Sequence, residues 1–208
     1  MSNISYKTHI NGMVFEPGRY DSIALEEGVR LARGKLHEVC GEGAIGFVAS
    51  LIGLLDGPVI WVACKDQPAE LNPEGLAQFF DPGRLILVKG INRLDVLWAA
   101  EQALRHPGAR CVVLEPGDGP DLRESRRLQI AAEESGALGL ALIAGRAQTS
   151  AAHTRWQCEC RKDESYPAAW KITKSKDGQH GRWRVRYPNR MRGEYAPGLM
   201  PLASATAA

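Results

Sequence analysis

Four short apolar runs, separated by stretches with helical character, constrain the fold of this chain more than any other feature. They lie at 58–63 (PVIWVA), 85–88 (LILV), 111–114 (CVVL) and 138–143 (LGLALI). Unbroken apolar runs of this length are typical of strands buried on both faces. Because parallel strands need a crossover between them, strands that alternate with helices predict an α/β fold. We expect a mostly parallel sheet with helices on both faces.

The predicted helices between these strands have recognisable ends. Asn92 precedes the first helix, and Asp95 three positions later completes a box-like N-terminal cap. Asp121 and Glu124 form a second such pair before a helix that Gly136 ends. The expected inward residues are Leu94, Leu97, Trp98 and Leu104 in the first helix and Leu128, Ala131 and Ala132 in the second.

After residue 145 the pattern changes to short alternating segments. Residues 155–160, 169–175 and 182–187 alternate polar and apolar side chains, and the turn sequence KDG at 176–178 separates the last two. We therefore expect an antiparallel β extension from about residue 146. The predicted organisation is an N-terminal segment at 1–28, an α/β domain at 29–193 and a flexible tail at 194–208.

The composition is that of a globular protein that folds without covalent or metal crosslinks. The 208 residues are 44% hydrophobic and 24% charged, with a net charge of +2. The five cysteines are an odd number without zinc-site spacing, so we expect buried free thiols in a reducing cytoplasm and no metal site. No apolar run approaches the length of a membrane span, and no secretory signal is recognisable, which predicts a soluble cytoplasmic protein.

The charge is distributed unevenly along the chain. Residues 146–193 carry twelve Lys and Arg against four Asp and Glu, whereas residues 1–145 carry fourteen against nineteen. The basic stretch also contains three of the five tryptophans, and three interpretations are open: a nucleic-acid surface, a protein interface or a solvated face. In a strand, Arg182, Arg184 and Arg186 would share one face, with Trp183, Val185 and Tyr187 on the other.

A phosphate-binding loop is almost present near residue 41. A strand at 35–40 leads into Gly41 and Gly46, and a helix at 47–55 follows, which is the Gly-x4-Gly context of such a loop. A working loop continues with Lys, which contacts the outer phosphates, and with Ser or Thr, which holds magnesium. This chain has Phe47 and Val48 instead, so we predict neither a bound nucleotide nor a catalytic residue.

The run at 33–47 (RGKLHEVCGEGAIGF) resembles the opening of the RecA core, and 169–187 resembles the Lys-rich strand and hairpin that close that core. The resemblance implies a RecA-like fold. It places the catalytic glutamate of that family near Cys64, where the nearest carboxylate is Asp66, and the magnesium-orienting aspartate at Glu115. Three chemical positions of the family are thus altered: the lysine, the hydroxyl residue and the glutamate.

Eight segments together resemble the ImuA family within the RecA superfamily. The family implies a non-catalytic adaptor in SOS-induced, error-prone translesion DNA synthesis, which responds to DNA damage and causes mutagenesis. The implied partners are ImuB, an inactive Y-family-type polymerase homologue, with RecA, an error-prone replicative-type polymerase and DNA as further candidates. The segments are 34–39, 57–62, 71–75, 81–88, 95–104, 125–132, 150–156 and 181–187. The candidate contact residues are Lys171, Lys174, Lys176, Arg182, Trp183, Arg184 and Arg186.

Three alternatives remain open. A cell-division inhibitor similar to the SulA family would bind a tubulin-like division protein, a residual ATPase would use Glu115 and Asp118, and a plain single-strand DNA binder would depend steeply on salt. Asp118 and Asp121 form a weaker magnesium-site alternative. We expect His37 at the sheet surface, and we expect a basic patch on a helix exterior, either solvated or in contact with a protein. The patch comprises Arg123, Arg126 and Arg127.

Overall fold

The computed structural model describes residues 8–10, 13–15, 22–26, 29–65 and 71–202. Their strands and helices alternate in the central part of the chain. The strands are β1 (Thr8–Ile10), β2 (Met13–Phe15), β3 (Ser22–Glu26), β4 (Val29–Ala32), β5 (Leu36–Cys40), β6 (Val59–Cys64), β7 (Leu85–Gly90), β8 (Cys111–Gly117), β9 (Leu138–Ile143), β10 (Thr154–Cys160), β11 (Ala168–Ser175), β12 (Gly181–Arg186) and β13 (Gly198–Pro201). The helices are α1 (Ala44–Gly53), α2 (Pro73–Ala77), α3 (Arg93–Arg105) and α4 (Leu122–Ser135), with 3-10 turns at Pro82–Arg84 and Arg190–Arg192.

Nine strands form one sheet in the order β13-β12-β11-β10-β5-β9-β8-β6-β7. The six strands from β10 to β7 are parallel, and β11, β12 and β13 continue the sheet in antiparallel pairing. This topology confirms the predicted α/β class, a RecA-like core closed by an antiparallel extension. The antiparallel part begins at β11, since β10 is still parallel to β5.

The sheet separates two apolar layers. On one face α1 packs on a cluster rich in aromatic side chains, and on the other α3 and α4 cover an aliphatic cluster. The first layer includes Phe47, Leu51, Trp61, Trp156, Trp170 and Trp183. The second includes Leu36, Val96, Leu104, Leu114 and Leu128. The predicted coverage of the sheet by helices on both faces is therefore observed.

The predicted helix ends are confirmed. The side chain of Asn92 accepts a hydrogen bond from the backbone N–H of Asp95 at 3.1 Å. Asp121 and Glu124 form a complete reciprocal capping box at the start of α4. Gly136 ends that helix with a φ of 77°, a left-handed conformation that glycine adopts without steric cost.

The predicted burial of β7 was wrong, and that of α3 was wrong in part. Ile86 and Leu87 are 51% and 56% exposed, because β7 is the last strand of the sheet. On α3 the prediction is confirmed for Leu104, which is fully buried, and Leu97 packs partly buried against the core. It is wrong for Leu94 and Trp98, which are 72% and 63% exposed, because Val96, Ala100 and Glu101 are the other residues that α3 buries.

The N-terminal segment and the tail also differ from expectation. Residues 22–26, assigned to the N-terminal segment outside the α/β domain, pair with β4 and bury Ile23 and Leu25 in the aromatic layer. Residues 198–201, predicted to belong to a flexible tail, form β13 on β12 and bury Leu199. Residues 203–208 lie outside the described residues.

None of the described helices combines the length and the apolar character that crossing a membrane requires.

Candidate functional site

The loop between β5 and α1 is closed by contacts within the protein. Gly41 has a φ of 96°, and the N–H of Gly43 donates to the carbonyl oxygen of Cys158 on β10 at 3.1 Å. A β-carbon added to Gly41 would overlap that same carbonyl oxygen and lie 2.7 Å from Nε2 of Gln157. The loop therefore rests on the β10 backbone, and Glu42, exposed in the turn, adds a negative charge where a phosphate would need a positive one.

The two residues that stand in place of Lys and Ser or Thr lie in the core. Phe47 and Val48 are fully buried on α1, which begins three residues earlier than predicted. The ring centroid of Phe47 lies 4.9 Å from that of Trp156 and 4.7 Å from that of Trp170. Tyr187 covers Gly46, since a β-carbon there would lie 2.6 Å from Cζ of the tyrosine. These residues do not fit a nucleoside triphosphate.

The carboxylates near the strand ends have structural partners. The indole N–H of Trp61 donates to Glu115, the residue in the place of the magnesium-orienting aspartate. Asp118 accepts from the backbone N–H of Arg146 at 2.7 Å, and Asp121 caps α4. Asp66 lies outside the described residues. Among those that are described, no group of three or more His, Cys, Asp or Glu side chains is placed to hold a metal ion.

The basic residues of β11 and β12 form an open face of the extension, which we call the arginine face: Lys171, Arg182, Arg184 and Arg186. Lys171, Arg182 and Arg186 are exposed, and Arg184 is partly buried. Lys171 and Arg182 are direct cross-strand neighbours, and Arg182 donates to Glu159 at 2.9 Å. Like charges in such a register repel each other, so an anionic partner would stabilise this face.

Trp183 does not belong to this surface. It is 8% exposed and packs on the opposite side of the sheet, with its ring centroid 5.9 Å from that of Trp156. The predicted separation of the arginines from Trp183, Val185 and Tyr187 is observed. The suggestion that Trp183 anchors a partner is corrected, because a buried ring reaches a partner only if the core opens.

Two of the predicted contact lysines hold a neighbouring loop. Nζ of Lys174 donates to the carbonyl oxygen of Ser150 at 2.6 Å, and Nζ of Lys176 donates to that of Ala151 at 2.7 Å. Burial lowers the pKa of Lys174. These hydrogen bonds fix the short loop after β9 to the end of β11. Both lysines therefore have a structural role in the protein on its own.

A buried ion pair supports the same loop from beneath. Glu38 on β5 is fully buried, and its Oε2 accepts from Nε of Arg155 on β10 at 2.6 Å. Arg155 also donates to the carbonyl oxygen of Gln148. The other carboxylate oxygen, Oε1, has no hydrogen-bond partner among the described residues. No local pattern in the sequence marks this pair, because the two residues lie on strands that are adjacent in the sheet but are 117 residues apart in the chain.

His37 is inside the protein and not at the sheet surface as expected. Its Nε2 lies 2.9 Å from the carbonyl oxygen of Ala32, and its Nδ1 lies 2.7 Å from Oγ1 of Thr154, which also accepts from the indole N–H of Trp156. The imidazole donates to Ala32 through Nε2–H and accepts from the Thr154 hydroxyl through Nδ1. Burial lowers its pKa to about 4, which keeps it neutral.

The five cysteines are free thiols, and their burial differs. Cys111 and Cys158 are buried, Cys40 and Cys64 are partly exposed, and Cys160 is exposed. This agrees only in part with the expectation of buried thiols.

The sheet order, the helices on both faces and the strand–glycine loop–helix unit define a RecA-like α/β domain with a degenerate phosphate loop. Over 154 residues the chain is 36% identical to Protein ImuA of Caulobacter vibrioides strain NA1000 / CB15N, and equally to that of strain ATCC 19089 / CIP 103742 / CB 15. Over this region the chain is similar to the ImuA proteins. The match covers 62% of this chain and only 62% of each relative's length. No protein-family profile matches the chain.

Proposed function

We propose that this protein is a non-catalytic RecA-like adaptor in SOS-induced, error-prone translesion DNA synthesis. Its principal partner in this proposal is an ImuB-type inactive polymerase homologue, and RecA and an error-prone replicative-type polymerase are further partners. The similarity to Protein ImuA supports a place in mutagenic repair. The adaptor role and the partners go beyond that similarity and are the subject of the tests below.

The observation that carries the proposal is the closure of the loop between β5 and α1. Phe47 and Val48 are core residues, Gly43 is bonded to the β10 backbone, and Tyr187 covers Gly46. In the RecA-type reaction this loop holds the phosphates. Aromatic side chains pack at this loop, while the RecA-like sheet and its surfaces are retained. This combination suits a protein that acts by binding other proteins.

The arginine face is the surface that we assign to the principal partner. Lys171, Arg182 and Arg186 present positive charge on a rigid sheet, and their backbone is held in ladder hydrogen bonds on both sides. Guanidinium groups bind carboxylates with two parallel hydrogen bonds, so an acidic protein surface is the expected complement.

Two measurements on the full chain test the proposal. Titration with a fluorescent ATP analogue and magnesium should give no saturable signal, and the protein should bind a purified ImuB-type polymerase homologue in a pull-down. The double charge reversal Arg182→Glu/Arg186→Glu should weaken the pull-down. The matched control Arg161→Glu/Arg192→Glu changes the same charge at exposed residues elsewhere and should leave it intact.

Other outcomes would point to other functions. Saturable ATP binding, with turnover that disappears in Glu115→Gln, would replace the adaptor by a residual ATPase. Binding to single-stranded DNA that falls steeply with salt, together with an unchanged pull-down in the arginine-face variant, would assign that face to nucleic acid.

A further inference from the structure

An apolar groove lies between α3 and α4, on the side of the sheet away from the closed loop. Leu94, Leu97 and Trp98 of α3 line it together with Leu128 of α4, around a cavity of about 220 Å³. Leu94 and Trp98 are separated by one helical turn, so they form one stripe, and both are more than 60% exposed. Contiguous exposed apolar patches that are rimmed by polar residues are typical of interaction sites.

Ion pairs bound the groove at both ends. At the amino-terminal end Arg93 of α3 forms a bidentate pair with Glu124 of α4, at 2.5 and 2.9 Å. One helical turn beyond Trp98, Nη2 of Arg127 lies 2.5 Å from Oε2 of Glu101. The space between the two bridges is short and apolar, and its volume suits one large side chain of a ligand.

The charge that remains around the groove is positive. Glu124 and Glu101 are neutralised by the arginines that bridge to them, and Asp121 is used as the cap of α4. Arg123 and Arg126 are exposed on the outer side of α4. The charge of Arg126 also helps to lower the pKa of Glu133, whose ion-pair partner is Lys35. Both arginines line an open concavity beside the groove, and Lys176 lines it as well.

We infer that this groove binds an acidic amphipathic helical segment of a partner protein. A helix laid along two neighbouring helices inserts apolar side chains at positions i, i+4 and i+7 and presents its flanks to both walls. One large apolar side chain would enter between the two ion-pair bridges and pack on Leu94 and Trp98. Carboxylates on the flank above α4 would pair with Arg123 and Arg126. The inference is independent of the proposed function, since it uses neither the closed loop nor the arginine face.

A peptide selection on the full chain identifies the preferred ligand chemistry directly. Random 16-residue peptides displayed on phage are selected on the native protein and then compared on Leu94→Ser/Trp98→Ala. Peptides that lose about tenfold or more in affinity on this variant should have a net negative charge and apolar residues at helical spacing. Their binding should also weaken as sodium chloride screens the arginines.

Charge reversal provides a second and independent variant. Arg123→Glu/Arg126→Glu changes only exposed side chains, so the fold should persist, and the same peptides should bind about fivefold or more weakly. Met191→Ala and Arg192→Glu, which remove an exposed apolar side chain and an exposed arginine elsewhere, should leave binding unchanged. The inference is overturned if the variant-sensitive peptides are neutral or basic, or if no selected peptide responds to Leu94→Ser/Trp98→Ala. It is also overturned if sedimentation velocity shows a dimer that only this variant abolishes, because the groove would then bind a second copy of the chain.

Discussion

The phenol ring of Tyr187 lies directly against the backbone of Gly46, at the position where a phosphate loop would open. A β-carbon at Gly46 would stand 2.6 Å from Cζ of this tyrosine, closer than non-bonded carbon atoms approach each other. Tyr187 in turn packs edge-on against Phe79, with ring centroids 5.3 Å apart. Tyr187, which directly follows β12, thus covers the first turn of α1.

Gly46→Ala should therefore destabilise the protein, although alanine is the better helix former. We expect a loss of about 1–3 kcal/mol in the free energy of unfolding, because Tyr187 must move out of its packed position. Chemical denaturation measures the change. Gly75→Ala, at a helical glycine whose added β-carbon meets nothing closer than 3.8 Å, is the matched control and should be neutral or stabilising.

The double variant Gly46→Ala/Tyr187→Ala should lose less free energy of unfolding than the sum of the losses of the two single variants. Equal stability of Gly46→Ala and the wild type would refute the contact.

Restoring the lysine of the phosphate loop should damage the fold without creating a nucleotide site. Phe47→Lys removes a ring packed between Trp156 and Trp170 and buries an ammonium group, so we expect a loss of about 3–5 kcal/mol or more. Ile45→Lys introduces the same charge at a residue of α1 that is 39% exposed, and it should cost much less. Thermal unfolding and titration with a fluorescent ATP analogue test both points. A stable Phe47→Lys protein that binds ATP would contradict the prediction.

The sheet, its crossovers and the caps could be predicted because they depend on local patterns. The runs at 58–63 and 138–143, the Asp121–Glu124 box and the stop at Gly136 each act through neighbours in the sequence. The alternation in β12 is equally local, and it predicts that the arginines share one face.

The features that could not be predicted depend on which segments become neighbours in space. The run at 85–88 has the composition of a central strand, but only the sheet order makes it an edge. Leu94 and Trp98 are exposed because Val96 packs against Gly90, at a distance so short that a β-carbon there would lie 2.9 Å from Val96. The contact between Val96 and Gly90 sets the rotation of α3 about its own axis, and this rotation exposes the side chains that line the groove between α3 and α4. No motif in the sequence marks the groove for this reason.

Acidification should destabilise the protein through His37. Burial lowers the pKa of His37 from 6.5 to about 4, so the folded state binds fewer protons than the unfolded state between these values. The free energy of unfolding should therefore fall as the pH drops from 6.5 towards 4, by about 3 kcal/mol from this residue alone. Denaturation at a series of pH values measures the slope. The slope should shrink in His37→Gln and persist in His106→Gln, which replaces an exposed histidine. A titration midpoint of the His37 imidazole near 6.5 by NMR would rule out this account.

The cysteines should react with thiol reagents in the order of their exposure. Burial raises the pKa of Cys111 to about 12 and that of Cys158 well above its ordinary value, and the thiolate is the reactive form. Cys160 is exposed at the end of β10. Under native conditions iodoacetamide should label Cys160 first, whereas Cys111 and Cys158 should react only after unfolding. Mass spectrometry of timed samples gives the order, and Cys160→Ser should remove the fast phase. Labelling of Cys111 as fast as Cys160 would show that β8 is more open than the structure indicates.

The buried pair of Glu38 and Arg155 makes the loop after β9 sensitive to a single substitution. Arg155→Gln would leave a fully buried carboxylate without its cation and remove the bond to Gln148, so we expect a loss of about 3–5 kcal/mol. Glu38→Gln keeps the shape of the side chain and removes its charge. The double variant Glu38→Gln/Arg155→Gln should therefore be more stable than the sum of the single losses implies, with a coupling of about 1–3 kcal/mol.

Arg182→Gln, which loses an ion pair to Glu159 at the surface, is the matched control and should change stability by less than about 1 kcal/mol. Strictly additive losses at Glu38 and Arg155 would mean that the two side chains do not interact in the folded protein.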